Sequence, residues 1–340
     1  MRCVTVPAEE NASRLDHFLG RLLPKAPKGF IYRMLRKKNI TRNGRRAEGS
    51  DRVCAGDVIA LYLSEETIEG FSADAGTKDI RTGRLQVLYE DADVLIVSKD
   101  AGILVQGDRT HADSLTDIVR HTLRTGVRGG EASEEGGAPP YKASPANRID
   151  RNTSGIVLFG KTLTGTKALT EALREREAVK TYIACAEGCG LSDGVYSAYL
   201  RKDERTNTVT VTEEAQEGAE PIRTGIRTIR ENGSESLLSV TLHTGRPHQI
   251  RAHLAFLGHP VLGDPKYERC AGTGKGAPKG IRRQMLHAYA VSFPEDMPLA
   301  GLRGKTVIAP LPEDMKDLIT SRFGENALAE VRNAAEDRKA

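Results

Sequence analysis

Asn147-Arg148-Ile149-Asp150-Arg151-Asn152-Thr153-Ser154-Gly155 runs directly into Ile156-Val157-Leu158-Phe159. A polar stretch that ends at a glycine and gives way to a short apolar run reads as a buried strand with polar side chains at its mouth. Working outward, further strands are expected at 85–89, 94–97, 182–186, 208–211, 222–229, 237–243 and 288–293. Helices are fewer. One opens at Ser114 with Asp117 three residues on, and another covers about 168–176. Strands outnumber helices and short turns join many of them, so the pattern predicts an α+β domain with a mostly antiparallel mixed sheet.

Upstream the pattern changes. Leu15, Phe18, Leu19 and Leu22 form a helical stripe behind Asn11 and Ser13 as caps. A second helix spans 29–38, with Ile31, Met34 and Leu35 facing inward. Asn43-Gly44 signals a tight hairpin, and Gly56-Asp57 turns into an apolar strand at 58–63. These residues make a small α/β module over 1–64. Residues 65–84 read as a linker, 85–312 as the main domain, 126–140 as a surface loop and 313–340 as a C-terminal helical tail.

The chain has 340 residues with a net charge of +4, 39% hydrophobic and 5% aromatic residues. That length suits two domains, each able to bury a core. Neither a membrane-crossing apolar run nor a secretory signal is expected, and five irregularly spaced cysteines fit a reducing cytoplasm rather than a disulfide framework. Charge is unevenly placed. Residues 1–63 carry 13 Lys+Arg against 6 Asp+Glu, a net +7. Arg33, Arg36, Lys37, Lys38, Arg42, Arg45 and Arg46 fall in one run without a carboxylate. Such a cluster attracts a phosphate backbone by displacing its counterions.

Two stretches carry candidate chemistry. In the first, Asp150 lies between Arg148 and Arg151, neighbours that favour an ionised carboxylate suited to act as nucleophile or base. By itself the pattern also fits an Asx turn with surface ion pairs. The second is Thr244-Gly245-Arg246-Pro247-His248-Gln249-Ile250-Arg251, read as a helix entered at Pro247 and closed at Gly258. Arg251 near a helix N-terminus is electrostatically misplaced unless an anion meets it, and Asp150 or a phosphate is the obvious partner. His248 and His253 lack metalloprotease spacing, Gly272-Thr273-Gly274-Lys275 lacks P-loop spacing, and no dinucleotide fingerprint follows a strand. Lys275, Lys279, Arg282 and Arg283 read as a basic loop able to touch phosphates.

At these residues the chain resembles the RluA-type pseudouridine synthases. The 147–155 stretch is similar to their H-R-L-D-x-x-T-S-G motif, with Asn147 in place of His. Residues 244–251, running into Leu257-Gly258-His259-Pro260-Val261-Leu262-Gly263-Asp264-Pro265-Lys266-Tyr267, match a second signature. Lys180-Thr181-Tyr182 matches the strand that carries the active-site tyrosine, and Leu286-His287-Ala288 a later element. The module at 1–64 resembles the S-four-like RNA-binding domain through Arg14-Leu15-Asp16, Ile40-Thr41-Arg42-Asn43-Gly44 and Gly56-Asp57.

The resemblance implies isomerisation of uridine to pseudouridine in RNA, without cofactor or metal, on a nucleotide flipped out of its stack. Asp150 becomes the essential carboxylate, attacking the sugar, adding to the base or taking the 2′ proton. Tyr182 stacks on uracil and assists loss of the carbon 5 proton, while Arg251 pairs with Asp150. Arg148, Arg246, His248, Gln249, Arg33, Arg36, Lys37, Lys38 and Arg42 become candidates for gripping RNA. Large-subunit ribosomal RNA is the expected target and the chain is expected to be monomeric. A transfer-RNA synthase and a binding-only ribosome-assembly factor are the alternatives.

Overall fold

A computed structural model describes residues 2–6, 12–23, 25–71, 85–107, 114–125, 142–203, 206, 208–267 and 280–336. The surface loop read at 126–140 lies outside them, as do Asn11, Lys275 and Lys279. The chain divides into two units, Met1–Arg81 and Thr82–Ala340.

In the first unit, β1 (Arg2–Thr5), α1 (Leu15–Leu22), α2 (Lys28–Arg36), β2 (Ile40–Arg42), β3 (Arg45–Arg46), β4 (Val58–Leu61) and α3 (Glu65–Phe71) follow in order. The sheet order is β1-β4-β2-β3. Asn43 and Gly44 both take left-handed backbone (φ 50° and 72°), which is what the two-residue turn between Arg42 and Arg45 requires. Leu15, Phe18 and Leu19 pack against Ile31, Leu35, Ile59 and Leu61 as the stripes predict. Two expectations are corrected. Ser13 does not cap α1; Arg14 holds that position without a side-chain cap bond. The linker does not begin at 65, because Glu65–Phe71 is helical and Ile68 is buried in this core, an apolar anchor too sparse to register as periodicity.

The second unit is built on an eleven-stranded sheet among the described residues. Its strands are β5 (Gln86–Glu90), β6 (Val94–Lys99), β7 (Ser144–Pro145), β8 (Ser154–Gly160), β9 (Val179–Glu187), β10 (Gly194–Asp203), β11 (Thr208–Thr212), β12 (Glu220–Glu231), β13 (Glu235–Leu242), β14 (Leu286–Ser292) and β15 (Thr306–Ile308). The main path runs β11-β10-β12-β13-β9-β14-β8-β6-β5; β15 pairs with β14, and β7 with β8. Among the described strands of this sheet only β14 and β8 pair in parallel, so the α+β reading with a mostly antiparallel sheet holds. The interspersed helices are α4 (Leu115–Thr125), α5 (Leu163–Arg174), α6 (Gln249–Phe256), α7 (Glu313–Phe323) and α8 (Asn326–Glu336). Ser114 and Asp117 form the expected capping box, with Ser114 Oγ donating to the Asp117 carboxylate at 2.6 Å.

Period-two alternation places the layers. On β9, Ile183 and Cys185 face a core shared with Met315, Ile319, Phe323, Ala327 and Val331 of α7 and α8. Tyr182, Ala184 and Ala186 face the other way, onto Ile250 and Leu254 of α6. The segment 313–340 is therefore no tail through Glu336: its two helices cover one face of the sheet. Strand β10 was not expected, because its outward residues (Arg201, Lys202) and sparse buried ones (Ala198, Leu200) blur the alternation. Among the described residues no helix is long and apolar enough to cross a membrane.

Candidate active site

The polar stretch occupies the turn that leads into β8. Thr153 N–H donates to the Asp150 carbonyl at 3.1 Å, folding Asp150 to the strand mouth. Asn147 resolves locally: its amide donates to Ile156 O at 3.3 Å and accepts from Leu158 N–H at 2.7 Å, acting as a short extra ladder on β8. Gly155 is required at φ 108°, since a Cβ there would stand 2.2 Å from the Ala288 carbonyl where β8 runs beside β14. Beneath the turn lies Lys99, 1% exposed, whose ammonium donates to the carbonyls of Asp100 (2.7 Å) and Arg151 (3.0 Å). Burial drives its pKa down to about 7, against the opposing pull of Asp100 and Asp150.

Arg251 meets Asp150 as expected, with Nη1 to Oδ2 at 2.7 Å. Its larger commitment is elsewhere. Nε and Nη2 grip both oxygens of Asp264 at 2.6 and 2.8 Å, and the Asp264 side chain is wholly buried. Burial by itself lowers the Arg251 pKa, but bonding and charge from Asp264, then Asp150, outweigh it and hold the guanidinium firmly charged. The Asp150 side chain is 25% exposed, and its Oδ1 has no partner among the described residues. A carboxylate aimed by one oxygen and free at the other is equipped to react. Gly263, at φ 73°, lets the Asp264 turn pack against the Arg283 carbonyl, 2.4 Å from where a Cβ would sit.

Tyr182 is 5% exposed and lines a small cavity with Asn147, Lys180 and Ala288. Burial, then the charge of Asp150, raises its pKa, so the phenol stays protonated and offers a ring face and a hydroxyl rather than a ready base.

The helix expected from Pro247 begins two residues later. His248 is its N-cap, in left-handed backbone at φ 53°, so Pro247 belongs to the preceding turn and not to the first helical position. Gly258 closes the helix at φ 85° as read. Gln249 is corrected as an RNA contact: it is 2% exposed and fully engaged. It accepts from Thr244 Oγ1 (2.9 Å) and Arg246 N–H (3.1 Å) and donates to Arg223 O (3.1 Å) and Thr224 Oγ1 (3.0 Å). Arg246 is exposed but paired to Glu220 at 2.7 Å, whereas Arg148 is exposed without a partner among the described residues. Arg283 of the expected basic loop is buried and bidentate to Asp314 of α7, both contacts 2.7 Å. In the first unit, Arg33, Arg36, Lys37 and Lys38 are exposed. Arg42 is half-buried and held at 2.7 Å by Asp57, which also takes the Asn43 amide and the Cys54 N–H.

Sequence reasoning missed Asp264 and Lys99. A signal existed for Asp264, a lone acid between Gly263 and Pro265 within the second motif; for Lys99 only a charged residue ending an apolar strand.

The family profile for RNA pseudouridylate synthase matches residues 93–256. The ribosomal large subunit pseudouridine synthase D of Xylella fastidiosa is 28% identical over 96% of this chain and 94% of its own. The D enzyme of Neisseria meningitidis serogroup A is 30% identical over 93% and 80%, and the C enzyme of Haemophilus ducreyi 29% over 93% of both. The solved structure of human RNA pseudouridylate synthase domain containing 4 shares the fold, with a TM-score of 0.53 at 20% identity, covering 73% of this chain and 93% of that one. A relative 30% identical over 93% of this chain and 80% of its own, together with the profile, decides the matter: the chain belongs to the RluA-type family of RNA pseudouridylate synthases.

Proposed function

We propose that this enzyme isomerises uridine in large-subunit ribosomal RNA, with Asp150 as its essential carboxylate. One observation carries the reading: a partly exposed carboxylate fixed through a single oxygen by a buried, charged guanidinium. The N1–C1′ bond of uridine breaks, C5 bonds to C1′, the C5 proton leaves and N1 gains one, so nothing is consumed. Arg251 aims Asp150 through its single bond, and Tyr182 supplies a face for the uracil ring. Arg148, exposed beside this turn, fills the space vacated by the flipped nucleotide or binds a nearby phosphate.

The S-four-like reading of the first unit is supported by its left-handed Asn43-Gly44 turn and the exposed cations of α2. That unit supplies sequence-independent attraction to backbone phosphate. The target is read from the relatives named for the ribosomal large subunit. Free Cys3 and Cys54, both exposed, suit a reducing cytoplasm, where the chain is read as a monomer.

Tritium release from [5-³H]uridine in large-subunit rRNA, with carbodiimide primer extension to locate the product, tests this. Asp150→Asn is expected to abolish release, a loss of at least about 10⁴-fold as for other essential nucleophiles and bases, while retaining RNA binding. Product from that variant refutes the carboxylate assignment. Modification of transfer RNA alone refutes the target.

A further inference from the structure

We propose that His248 is a fixed-tautomer hydrogen-bond donor to a carbonyl oxygen of the uracil being isomerised, its proton held on Nε2 by Tyr267. The inference rests on the reading of Asp150 as the reacting carboxylate.

Hydrogen-bond accounting fixes the tautomer. Tyr267 is buried, and its hydroxyl oxygen already accepts the Val209 N–H at 3.0 Å. The same oxygen lies 2.8 Å from His248 Nδ1. If Nδ1 were the donor, the buried hydroxyl proton would have no acceptor, a loss worth about 1–3 kcal/mol. With Tyr267 donating, all three groups are satisfied and the imidazole carries its proton on Nε2. That N–H has no partner among the described residues.

The backbone is built for the same end. A non-glycine residue at φ 53°, ψ 14° costs about 1–3 kcal/mol and persists only where its surroundings over-determine it. Gln249 does so here, with four hydrogen bonds that pin residues 244 and 246 to β12. The ring stands edge-on to Tyr267, 5.8 Å between centroids, and the Tyr267 face carries the Arg251 guanidinium at 5.2 Å. Arg251 in turn holds Asp150. His248 is thus joined to Asp150 through Tyr267 and Arg251 and lies near enough to feel its charge, while burial lowers its own pKa.

The chemistry needs a donor there. When the N1–C1′ bond breaks, its electron pair stays on uracil and spreads to the ring carbonyl oxygens. A preorganised N–H at such an oxygen stabilises that charge and no proton need transfer. It acts on the reaction more than on RNA affinity.

The test is single-turnover tritium release from [5-³H]uridine rRNA, with filter-binding Kd and thermal melts, for wild type, His248→Ala, His248→Asn, His248→Gln and Tyr267→Phe. The amide nitrogen of Gln reaches the place of Nε2, whereas that of Asn reaches Nδ1. We expect His248→Ala and His248→Asn to react about 10- to 100-fold slower at saturating enzyme, with Kd within about twofold. His248→Gln should recover most of the rate, and Tyr267→Phe should fall between. Should His248→Ala fail to fold, the Gln-against-Asn comparison decides alone. Wild-type rates in His248→Ala, a Gln variant as slow as Asn, or a weakened Kd at full rate would each overturn the inference. The last outcome would make His248 a phosphate contact. In all three an active wild type beside a dead Asp150→Asn leaves the reading of Asp150 intact.

Discussion

Arg251 divides its donors between two carboxylates of unlike situation, and the difference explains the need for both. Asp264 is sealed from water and takes the bidentate grip; Asp150 is part-open and takes a single bond. A guanidinium held by Asp150 alone would have to be oriented by the group it is meant to orient. Asp264 supplies the fixed frame. Asp264→Asn keeps the shape but removes the buried counter-charge, leaving Arg251 under-compensated in a site where breaking such a pair costs about 3–5 kcal/mol. We expect urea unfolding to show that loss, together with a fall in isomerisation of more than tenfold per folded enzyme. Unchanged activity in Asp264→Asn would show that Asp150 needs no such frame. At this scale the sequence was legible where a residue had a local oddity. Arg251 stood out because a cation near a helix N-terminus demands an anion. Lys99 did not, because its two acceptors are backbone carbonyls, one of them about fifty residues away in sequence.

Elements with a clean period were read correctly, and those whose burial is set by tertiary context were not. β8 and β9 are continuous apolar runs flanked by turn residues, hence visible. β10 shows few buried side chains and Gln249 sits in a motif rich in exposed polar groups, so neither announced its environment. The C-terminal helices are the clearest case. Their apolar residues are diluted by Glu, Asp and Lys, which gives the look of a solvated tail, yet Met315, Ile319, Phe323 and Val331 are fully or nearly buried. Two guanidiniums reinforce the seat: Arg283 clasps Asp314, and Arg230 pairs with Glu330 and donates to the Phe323 carbonyl at 3.0 Å. These helices back the strand whose opposite face presents Tyr182. Ile319→Ala should therefore cost about 2–5 kcal/mol, the range for a core cavity rather than a surface truncation. Equilibrium urea unfolding measures it, and a cost under 0.5 kcal/mol would return the segment to the status of a tail.

Charge and chemistry are divided across the whole molecule. Residues 1–63 carry net +7, while the site at the mouth of β8 holds its own charges in pairs and keeps its histidines neutral. That neutrality has a cost in acid. His253 and His287 are each 1% exposed; His253 Nδ1 meets Thr224 Oγ1 at 2.9 Å and His287 Nδ1 meets Ser154 Oγ at 2.8 Å. Burial lowers both pKa values from 6.5 to about 4. Above pH 6.5 neither state binds the extra proton and folding is unaffected. Between 6.5 and 4 the unfolded chain is protonated at these sites and the folded one is not, so unfolding is favoured as pH falls. The slope is about 1.4 kcal/mol per pH unit for each histidine, or roughly 2 kcal/mol each between pH 6.5 and 5. Asp16, held well below the usual carboxylate range by its bond from Arg14, and Lys99, near 7, titrate outside that window, whereas His248, lowered from 6.5 by burial, adds to the loss. Urea unfolding at pH 6.5 and 5.0 should thus show a steep loss, and His287→Gln should remove its own roughly 2 kcal/mol of the pH-dependent part whatever its stability at pH 6.5. A variant with the wild-type slope would mean that His287 is protonated in the folded enzyme, and with it that the Ser154–His287 contact joining β8 to β14 is not the neutral bond described above.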